Sequence, residues 1–249
     1  MATATLRFYE ELNDFLPRQF RKKDREIEFT EPAPVRHLVE TLGVPHTEVE
    51  VILLNGLSVG LEQPVQDGDR ISVYPVFESL DVTPLLRLRD QPLRVTRFAA
   101  DAHLGKLAGY LRMLGFDTLY RNDWRDSDLA SLCVDQHRIL LSRDRALLMH
   151  KKVSHGCYIR AVPPREQLAY LMRRLDLCGR IAPFTRCMRC NGELRELESG
   201  EVPQNLPPHV LRIRDRFLGC QECRQVYWEG SHYQVMKRWV SRLCAESTV

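Results

Sequence analysis

Four cysteines in the C-terminal part of the chain stand in two closely spaced pairs. Within each pair two residues separate the cysteines, which allows a tight turn that points both sulfurs toward one ion. The pairs are Cys187-Met-Arg-Cys190 and Cys220-Gln-Glu-Cys223. They predict one tetrahedral zinc site, with two disulfides or unconnected thiols as the alternative. Because four thiolates leave no position for water, we expect the zinc to stabilise the fold and not to catalyse.

Three aspartates stand where predicted strands end or where helices begin. Asp101 follows a strand at 94–100, Asp144 follows an apolar strand at 138–142, and Asp128 opens a helix. In parallel α/β sheets, ligands meet the loops at the carboxyl ends of the strands. Carboxylates that converge there repel one another unless a divalent cation lies between them, and hard oxygen ligands select magnesium or manganese. Such an ion polarises a phosphodiester and lowers the pKa of an attacking water. The alternative is that each aspartate only caps a helix.

The middle acid of this cluster stays open. We select Asp128, because it opens the helix that follows the second strand of the region. The competing residues lie in that strand or in the loop after it, and they are Asp117, Asp123 and Asp126.

Three basic residues near the aspartates could hold phosphate oxygens, arginine as a planar fork and lysine as a point charge. They are Lys106, Arg112 and Arg143. For each of them the alternative is a solvated helix face. The net charge of +3 is small, but arginines accumulate from Arg160 onward, for example at 173–174 and 212–216. A basic C-terminal part suits a polyanionic partner such as RNA.

The first 80 residues predict a small sheet with one helix. Alternation of apolar and polar residues predicts strands at 4–9 and 25–30, and helical spacing predicts a helix at 34–43. A buried strand at 51–56 ends in an Asn-Gly turn, and a last strand covers 70–76. The order strand, strand, helix, strand, strand is that of a β-grasp fold.

The central region predicts a parallel sheet covered by helices on both faces, because strands alternate with helices of about ten residues. The predicted strands are 94–100, 116–121, 138–142 and 156–160, and the predicted helices are 103–114, 128–137, 143–150 and 164–177. Residues 81–93 contain two prolines and no sustained period, which indicates a linker. The domains predicted are therefore 1–80, the linker 81–93, 94–180, and a zinc ribbon with a closing helix at 181–249.

Composition excludes several classes of protein. The 249 residues are 44% apolar and 28% charged, as in globular domains. No run approaches the roughly 18 apolar residues of a membrane span, and the N-terminus lacks an apolar signal core. We therefore expect a cytoplasmic protein without a membrane partner. The other cysteines lack motif spacing, so we expect buried free thiols in a reducing compartment. They are Cys133, Cys157, Cys178 and Cys244.

The N-terminal part resembles the ubiquitin-like β-grasp sulfur carriers of thiamine and molybdopterin synthesis. The similarity lies in Leu54-Asn-Gly-Leu-Ser-Val and in Asp67-Gly-Asp-Arg-Ile-Ser-Val-Tyr-Pro-Val. Those carriers act through a free C-terminal Gly-Gly, whereas this chain has Phe77-Glu-Ser-Leu80 at that place and continues. We therefore expect a module that binds a protein partner or positions substrate, and not a sulfur carrier.

Residues 94 to 240 resemble the PIN-like ribonucleases of the Mut-seven C-terminal type. The similarity lies in the strings 98–118, 128–130 and 138–148, together with both CxxC pairs and Tyr227-Trp-Glu-Gly-Ser-His232. The resemblance implies metal-dependent RNA cleavage with an attached zinc ribbon, and a β-grasp domain is a known companion of this domain. Asp101 and Asp144 match two of the family's acids, while Ser142 replaces the commoner threonine and keeps the hydroxyl.

The leading hypothesis is a ribonuclease whose aspartates bind magnesium or manganese and whose substrate is tRNA or another structured RNA. A second hypothesis is a non-catalytic RNA-binding or adaptor protein that uses the ribbon and the β-grasp domain. A phosphatase with a nucleophilic aspartate is a third, but such enzymes carry a second acid two residues later, where this chain has His103.

Overall fold

The structure, a computed structural model, describes residues 1–76, 82–88, 96–198, 200–203, 206–213 and 216–246. Its strands are β1 (Ala2–Phe8), β2 (Arg25–Phe29), β3 (Ala33–Pro34), β4 (Val49–Leu54), β5 (Leu57–Ser58), β6 (Pro64–Val65), β7 (Asp69–Pro75), β8 (Phe98–Ala100), β9 (Thr118–Tyr120), β10 (Ile139–Ser142), β11 (Gly156–Tyr158), β12 (Leu194–Glu196), β13 (Leu218–Cys220) and β14 (Val226–Tyr227). Its helices are α1 (Val35–Thr41), α2 (Gly105–Met113), α3 (Asp126–Asp135), α4 (Arg145–Leu148), α5 (Pro164–Arg174), α6 (Pro208–Ile213) and α7 (Ser231–Glu246). Two compact units result: Met1–His103 with Asp123–Tyr158, and Leu104–Asn122 with Ile159–Val249.

The first unit begins with the predicted β-grasp sheet, which the structure confirms. The strand order is β2-β1-β7-β4-β5, with β1 parallel to β7 and the other pairs antiparallel. Because side chains alternate across a strand, Leu6 and Ile71, which face each other in the register, both lie in the core with Leu38 of α1. The predicted Asn-Gly turn is present, and its residues Asn55 and Gly56 have positive φ angles of 50° and 85°.

The same unit contains a parallel sheet in which β10 pairs with β8 on one side and with β11 on the other. Its strands are mainly apolar, as expected when both faces are covered, and Ser142 at the end of β10 is a buried polar exception. Phe98, Leu140 and Leu141 are fully buried, and α3 and α4 pack against β10. The parallel sheet predicted for this region is therefore confirmed.

Part of the predicted linker is described and packs on the β-grasp sheet. Val82 and Leu86 are buried against Val51 of β4. The rest of the predicted linker, residues 81 and 89–93, lies outside the described residues, as do Arg94 and Val95 at the start of the predicted strand 94–100.

The second unit combines helices with a small antiparallel sheet. Helix α2 packs on β9 and on α5, while β13 lies between β12 and β14. Gly115 lies two residues after the end of α2 and has a φ angle of 93°, a left-handed conformation that favours glycine. In the described part of the chain, every helix is too short or too polar to span a membrane.

Two of the cysteines expected as free thiols form a disulfide. Cys178, which follows α5, is bonded to Cys244 of α7, with a Cα–Cα distance of 5.6 Å. The prediction was wrong for this pair because the two cysteines are 66 residues apart, so only the tertiary fold brings them together. Cys133 and Cys157 are free and buried as expected, and burial raises the pKa of Cys133 to about 12.

Candidate functional site

Asp101 and Asp144, here called the acid pair, lie at the ends of two neighbouring parallel strands. Asp101 follows β8, and its N–H donates to Leu141 O on β10 at 3.0 Å. The hydroxyl of Ser142 donates to Asp101 Oδ2 at 2.8 Å, and the N–H of Asp144 donates to Ser142 Oγ at 2.9 Å. One buried hydroxyl therefore links both members of the acid pair.

The two carboxylates differ in how their oxygens are used. Asp101 is half-buried, and its Oδ1 accepts the N–H of Ala102 at 2.5 Å. Asp144 is exposed and caps α4, because its Oδ1 accepts the N–H of Ala146 at 2.7 Å. The capping function considered from the sequence is thus present at Asp144, and it uses one of the two carboxylate oxygens.

The third predicted acid, Asp128, has a different partner. It lies in the first turn of α3, half exposed, and its Oδ2 is 3.0 Å from Arg125 Nε in an ion pair three residues apart. Across the described ranges, the four cysteines are the only group of at least three potential metal ligands placed so that they could hold one ion. The structure therefore does not bring Asp128 into a tight group with the acid pair.

The competing middle acids have surroundings of their own. Asp126 is the first residue of α3, and Asp123 precedes that helix in the chain. Asp117 belongs to the second unit, where its Oδ1 accepts a hydrogen bond from Asn191 Nδ2 at 2.7 Å. Asp117 therefore takes part in holding the cysteine motif that precedes Asn191.

The predicted phosphate-binding residues separate into two exposed side chains and one buried side chain. Lys106 on α2 and Arg143 beside Asp144 are exposed. Arg112 is only 5% exposed, and burial lowers the pKa of its guanidinium. Such an environment differs from that of a solvent-facing phosphate ligand, so the structure does not favour the phosphate-binding function expected for Arg112.

The donors of Arg112 go to main-chain carbonyls of the second unit. Nε donates to Thr118 O at 2.8 Å, and Nη1 donates to Met188 O at 3.1 Å and to Arg189 O at 3.0 Å. Met188 and Arg189 are the two residues between the first pair of cysteines. Arg112 therefore fixes the first CxxC turn to α2 and β9.

The four cysteine sulfurs converge as the spacing predicts. All four lie within 4.8 Å of one another, with Sγ–Sγ distances of 3.6 Å for Cys187 and Cys223 and 3.4 Å for Cys190 and Cys220. Sulfurs about 2.3 Å from a tetrahedral zinc are about 3.8 Å apart, so the observed spacing fits that ion. The cluster can therefore hold zinc.

The two CxxC turns share a backbone conformation. The residues that follow the second cysteine of each turn, Asn191 and Arg224, have positive φ angles of 72° and 57°. Asn191 is also buried, and its Oδ1 accepts the N–H of Thr118 at 2.8 Å. Asparagine tolerates this left-handed conformation better than most residues, so its place after Cys190 is the sequence signal that could have indicated this turn.

Tyr227 contacts the metal ligands directly, which the sequence analysis did not foresee. Its hydroxyl lies 3.1 Å from Cys187 Sγ and accepts the N–H of Arg189 at 3.3 Å. Burial alone would raise the pKa of Cys187, but hydrogen bonds from Tyr227 and from nearby N–H groups outweigh burial and lower the pKa to about 7. A lowered pKa favours the thiolate that zinc requires.

Fold and site together define a β-grasp module followed by a parallel α/β domain and a four-cysteine ribbon. The chain belongs to the Mut7-C RNAse domain family, whose model matches residues 96–240. The model of the Mut7-C ubiquitin domain matches residues 1–81. The acid pair and the four cysteines all lie within the first of these matches.

Two solved structures resemble the N-terminal part. One is a candidate molybdopterin converting factor, subunit 1, from Pyrococcus furiosus, with 22% identity over 30% of this chain and 98% of the other, at a TM-score of 0.25. The other is SAMP1 from Haloferax volcanii, with 13% identity over 32% of this chain and 100% of the other, at a TM-score of 0.26. A search of curated proteins found no match.

Proposed function

We propose that this protein is a metal-dependent ribonuclease that hydrolyses phosphodiester bonds of RNA. One observation carries the proposal: a single hydroxyl, that of Ser142, links Asp101 and Asp144 at the ends of adjacent parallel strands. Ligand sites of parallel α/β sheets form at that edge. Membership of the Mut7-C RNAse domain family supports the same chemistry.

The acid pair fits a hard divalent cation. Carboxylate oxygens are the ligands that magnesium and manganese prefer, and Asp144 is exposed to solvent. Asp101 and Asp144 would hold the ion, and we retain Asp128 as a third acid contributed by α3. When bound, the ion would polarise the phosphodiester and lower the pKa of an attacking water.

The chain's own residues orient the acids and the substrate. The Ser142 hydroxyl fixes the carboxylate of Asp101, and the Ala146 N–H fixes that of Asp144. Lys106 and Arg143 are exposed cations that could bind phosphate oxygens of RNA. Arg112 is left out of this set because its donors are used within the fold.

The wider assignments are part of the same proposal. The zinc stabilises the ribbon, a structured RNA such as tRNA is the substrate, and the β-grasp module binds a protein partner in the cytoplasm. The domains are 1–80, 94–180 and 181–249 with a linker at 81–93. Removal of zinc should increase hydrogen exchange of residues 181–230 and weaken RNA binding, while magnesium decides cleavage. A protein that loses all four cysteines but keeps its RNA affinity would contradict this division of functions.

The test uses labelled RNA and the full-length, zinc-loaded protein, with magnesium added or left out. Asp101→Asn and Asp144→Asn should abolish cleavage but retain RNA binding. Ser142→Ala should cost roughly 10- to 100-fold in rate, as loss of a group that orients a metal ligand usually does, whereas Ser142→Thr should retain activity. Asp135→Asn is the matched control, because Asp135 is an exposed acid at the end of α3. Wild-type cleavage by both Asn variants of the acid pair would refute the site.

The same assay identifies the middle acid. Each candidate is replaced by asparagine in turn, namely Asp117, Asp123, Asp126 and Asp128. Loss of magnesium-dependent cleavage with unchanged stability marks the acid that acts in the reaction. Loss of stability with loss of cleavage marks an acid that holds the fold, which is the result we expect for Asp117 because it bonds Asn191.

A second candidate function is a non-catalytic RNA-binding or adaptor protein. It is favoured by the helix cap at Asp144 and by the Arg125–Asp128 ion pair, since both give the acids a structural use. In that case the wild-type protein binds RNA but does not cleave it at any magnesium or manganese concentration.

A further inference from the structure

A cleft of about 340 Å³ lies in the second unit beside the four-cysteine ribbon. Its walls come from the chain before the first CxxC turn, from that turn itself, from β14 and from the start of α7. The wall residues that matter here are Phe184, Arg186, Met188, Gln225, Trp228 and Tyr233. The catalytic proposal uses none of them.

Aromatic rings and a thioether form most of this wall. The ring centroids of Phe184 and Tyr233 are 4.3 Å apart at an interplanar angle of 44°, and Trp228 and Met188 also line the cleft. Rings that pack only against each other would normally be buried. Phe184, Tyr233 and Trp228 instead remain partly exposed, and Met188 is 38% exposed. The cleft therefore presents polarisable apolar surface to solvent.

The backbone at Phe184 is held in an unusual conformation. Its φ angle is 62°, and a bulky residue in this left-handed region is a true outlier. Residues held in this way are found more often at ligand sites than elsewhere. This backbone conformation occurs at a residue whose ring lines the cleft.

Two polar side chains stand at the same cleft. Gln225 is exposed, and its amide oxygen can accept a hydrogen bond while its Nε2 already donates to Val226 O at 3.3 Å; Arg186 has a planar guanidinium. Arg186 donates to Asn191 O at 3.4 Å and lies 3.7 Å from Glu193 Oε1, so its plane is held in place by long contacts. An aliphatic ligand could not form hydrogen bonds with these groups. A flat ligand with polar atoms along its edge could hydrogen-bond to both Gln225 and Arg186.

We propose that this cleft binds one unpaired nucleobase of RNA. Single-stranded bases are recognised by stacking on aromatic rings or guanidinium planes and by hydrogen bonds to their edges, and this wall supplies all three. The volume lies at the small end of the roughly 300–1,000 Å³ of ligand pockets, which suits a single base. The identity of the ligand as RNA rests on the proposed function, and the cleft adds a substrate feature to that function, an unstacked base.

The test measures base binding without turnover. The protein is the full-length, zinc-loaded Asp144→Asn variant, and the probe is a short single-stranded RNA with one 2-aminopurine. A second RNA of the same sequence carries an abasic site at that position. We expect 2-aminopurine fluorescence to be quenched on binding, and the abasic RNA to bind about tenfold more weakly, the loss typical of one base–aromatic stack.

Changes in the wall should remove this discrimination. Phe184→Leu and Tyr233→Leu should bind both RNAs equally, at the affinity that the abasic RNA has for the unchanged wall. Met188→Glu provides a second kind of variant, because Met188 is exposed and its replacement by a charged residue should leave the fold intact. Val235→Ala is the matched control on α7, since Val235 is 45% exposed and does not line the cleft.

Each outcome decides between the proposals. If both RNAs bind equally well to the Asp144→Asn protein without changes in the cleft, the base-binding inference is overturned. An apolar side chain of a protein partner would then be the ligand that the cleft fits. Retained discrimination in the Phe184→Leu, Tyr233→Leu and Met188→Glu variants would overturn the inference as well. Because these measurements use a variant of the acid pair, failure of RNA cleavage in the wild-type protein would refute the ribonuclease but not the base site.

Discussion

Replacement of Arg112 by methionine tests how the first CxxC turn is held. The change keeps an apolar stem of similar length and removes the donors that reach Thr118 O, Met188 O and Arg189 O. A hydrogen bond from a charged donor contributes about 1.5–3 kcal/mol, and each carbonyl left buried without a donor costs about 1–3 kcal/mol. Loss of the buried charge offsets part of this sum, because burying a guanidinium is itself unfavourable. We therefore expect the free energy of unfolding to fall by about 3 kcal/mol.

Two measurements follow this change in the full-length, zinc-loaded protein. Urea unfolding followed by circular dichroism gives the free energy of unfolding, and a chromogenic chelator gives the rate of zinc release. Arg112→Met should lower the first and increase the second. Arg112→Lys keeps the charge but loses the planar fork. Its free energy of unfolding and its rate of zinc release should lie between those of Arg112→Met and the wild type. Lys106→Met is the matched control on α2 and should stay within about 0.5 kcal/mol, because Lys106 is exposed.

The opposite result would support the phosphate-binding function expected for Arg112 from the sequence. If Arg112→Met unfolds at the wild-type urea concentration and releases zinc at the wild-type rate, the guanidinium does not hold the turn. If in addition RNA affinity falls and its salt dependence becomes weaker, Arg112 contacts phosphate.

Two further predictions concern single positions in each unit. Gly115→Ala should destabilise the protein by more than about 3 kcal/mol in urea unfolding, because φ is 93° and the new Cβ would lie 1.9 Å from Ala182 O. Gly109→Ala in the same helix meets no atom within 4 Å and should stabilise by about 0.5–1 kcal/mol. Asp67 has its pKa lowered by hydrogen bonds from the backbone and side chain of Thr3. Its contribution to stability is therefore complete above the unfolded pKa of about 3.9 and is lost as pH falls through the lower folded pKa. Wild type and Asp67→Asn should accordingly differ more in urea unfolding at pH 6 than at pH 2.5, and equal differences at both pH values would contradict this.

The sequence predicts the parts of the fold that depend on local pattern. Alternating residues around Leu6 and the Asn55-Gly56 turn carry their structure within a few residues, and the β-grasp sheet follows from them. The spacing within each of the two CxxC pairs likewise determines the turn that the pair forms, and the four sulfurs converge as expected. To predict that Asp101 and Asp144 are close, one must also predict that β8 pairs with β10. The apolar, parallel character of these strands indicates that pairing from the sequence.

What the sequence does not contain is which surface another segment will cover. Arg112 stands on a polar position of α2, and only the docking of the first CxxC turn makes it a buried donor. Cys178 and Cys244 are 66 residues apart and have no motif spacing, so their bond depends on the tertiary fold. At Asp128 a local interaction has the opposite effect. Arg125, only three residues away, forms an ion pair with its carboxylate and so competes with a metal ion for it.

The β-grasp module also contacts the parallel-sheet part of the first unit. These contacts do not depend on the free C-terminal Gly-Gly that sulfur carriers use. The module's Glu48 carboxylate accepts the N–H of Tyr158 at the end of β11, and its Phe15 ring lies 5.5 Å from the ring of Tyr158. The guanidinium of Arg145 stands 5.2 Å and 5.3 Å from these two rings. Arg145 is the first residue of α4, the helix that Asp144 caps. The module therefore contacts Arg145, the residue next to Asp144, although no residue of the module belongs to the proposed site.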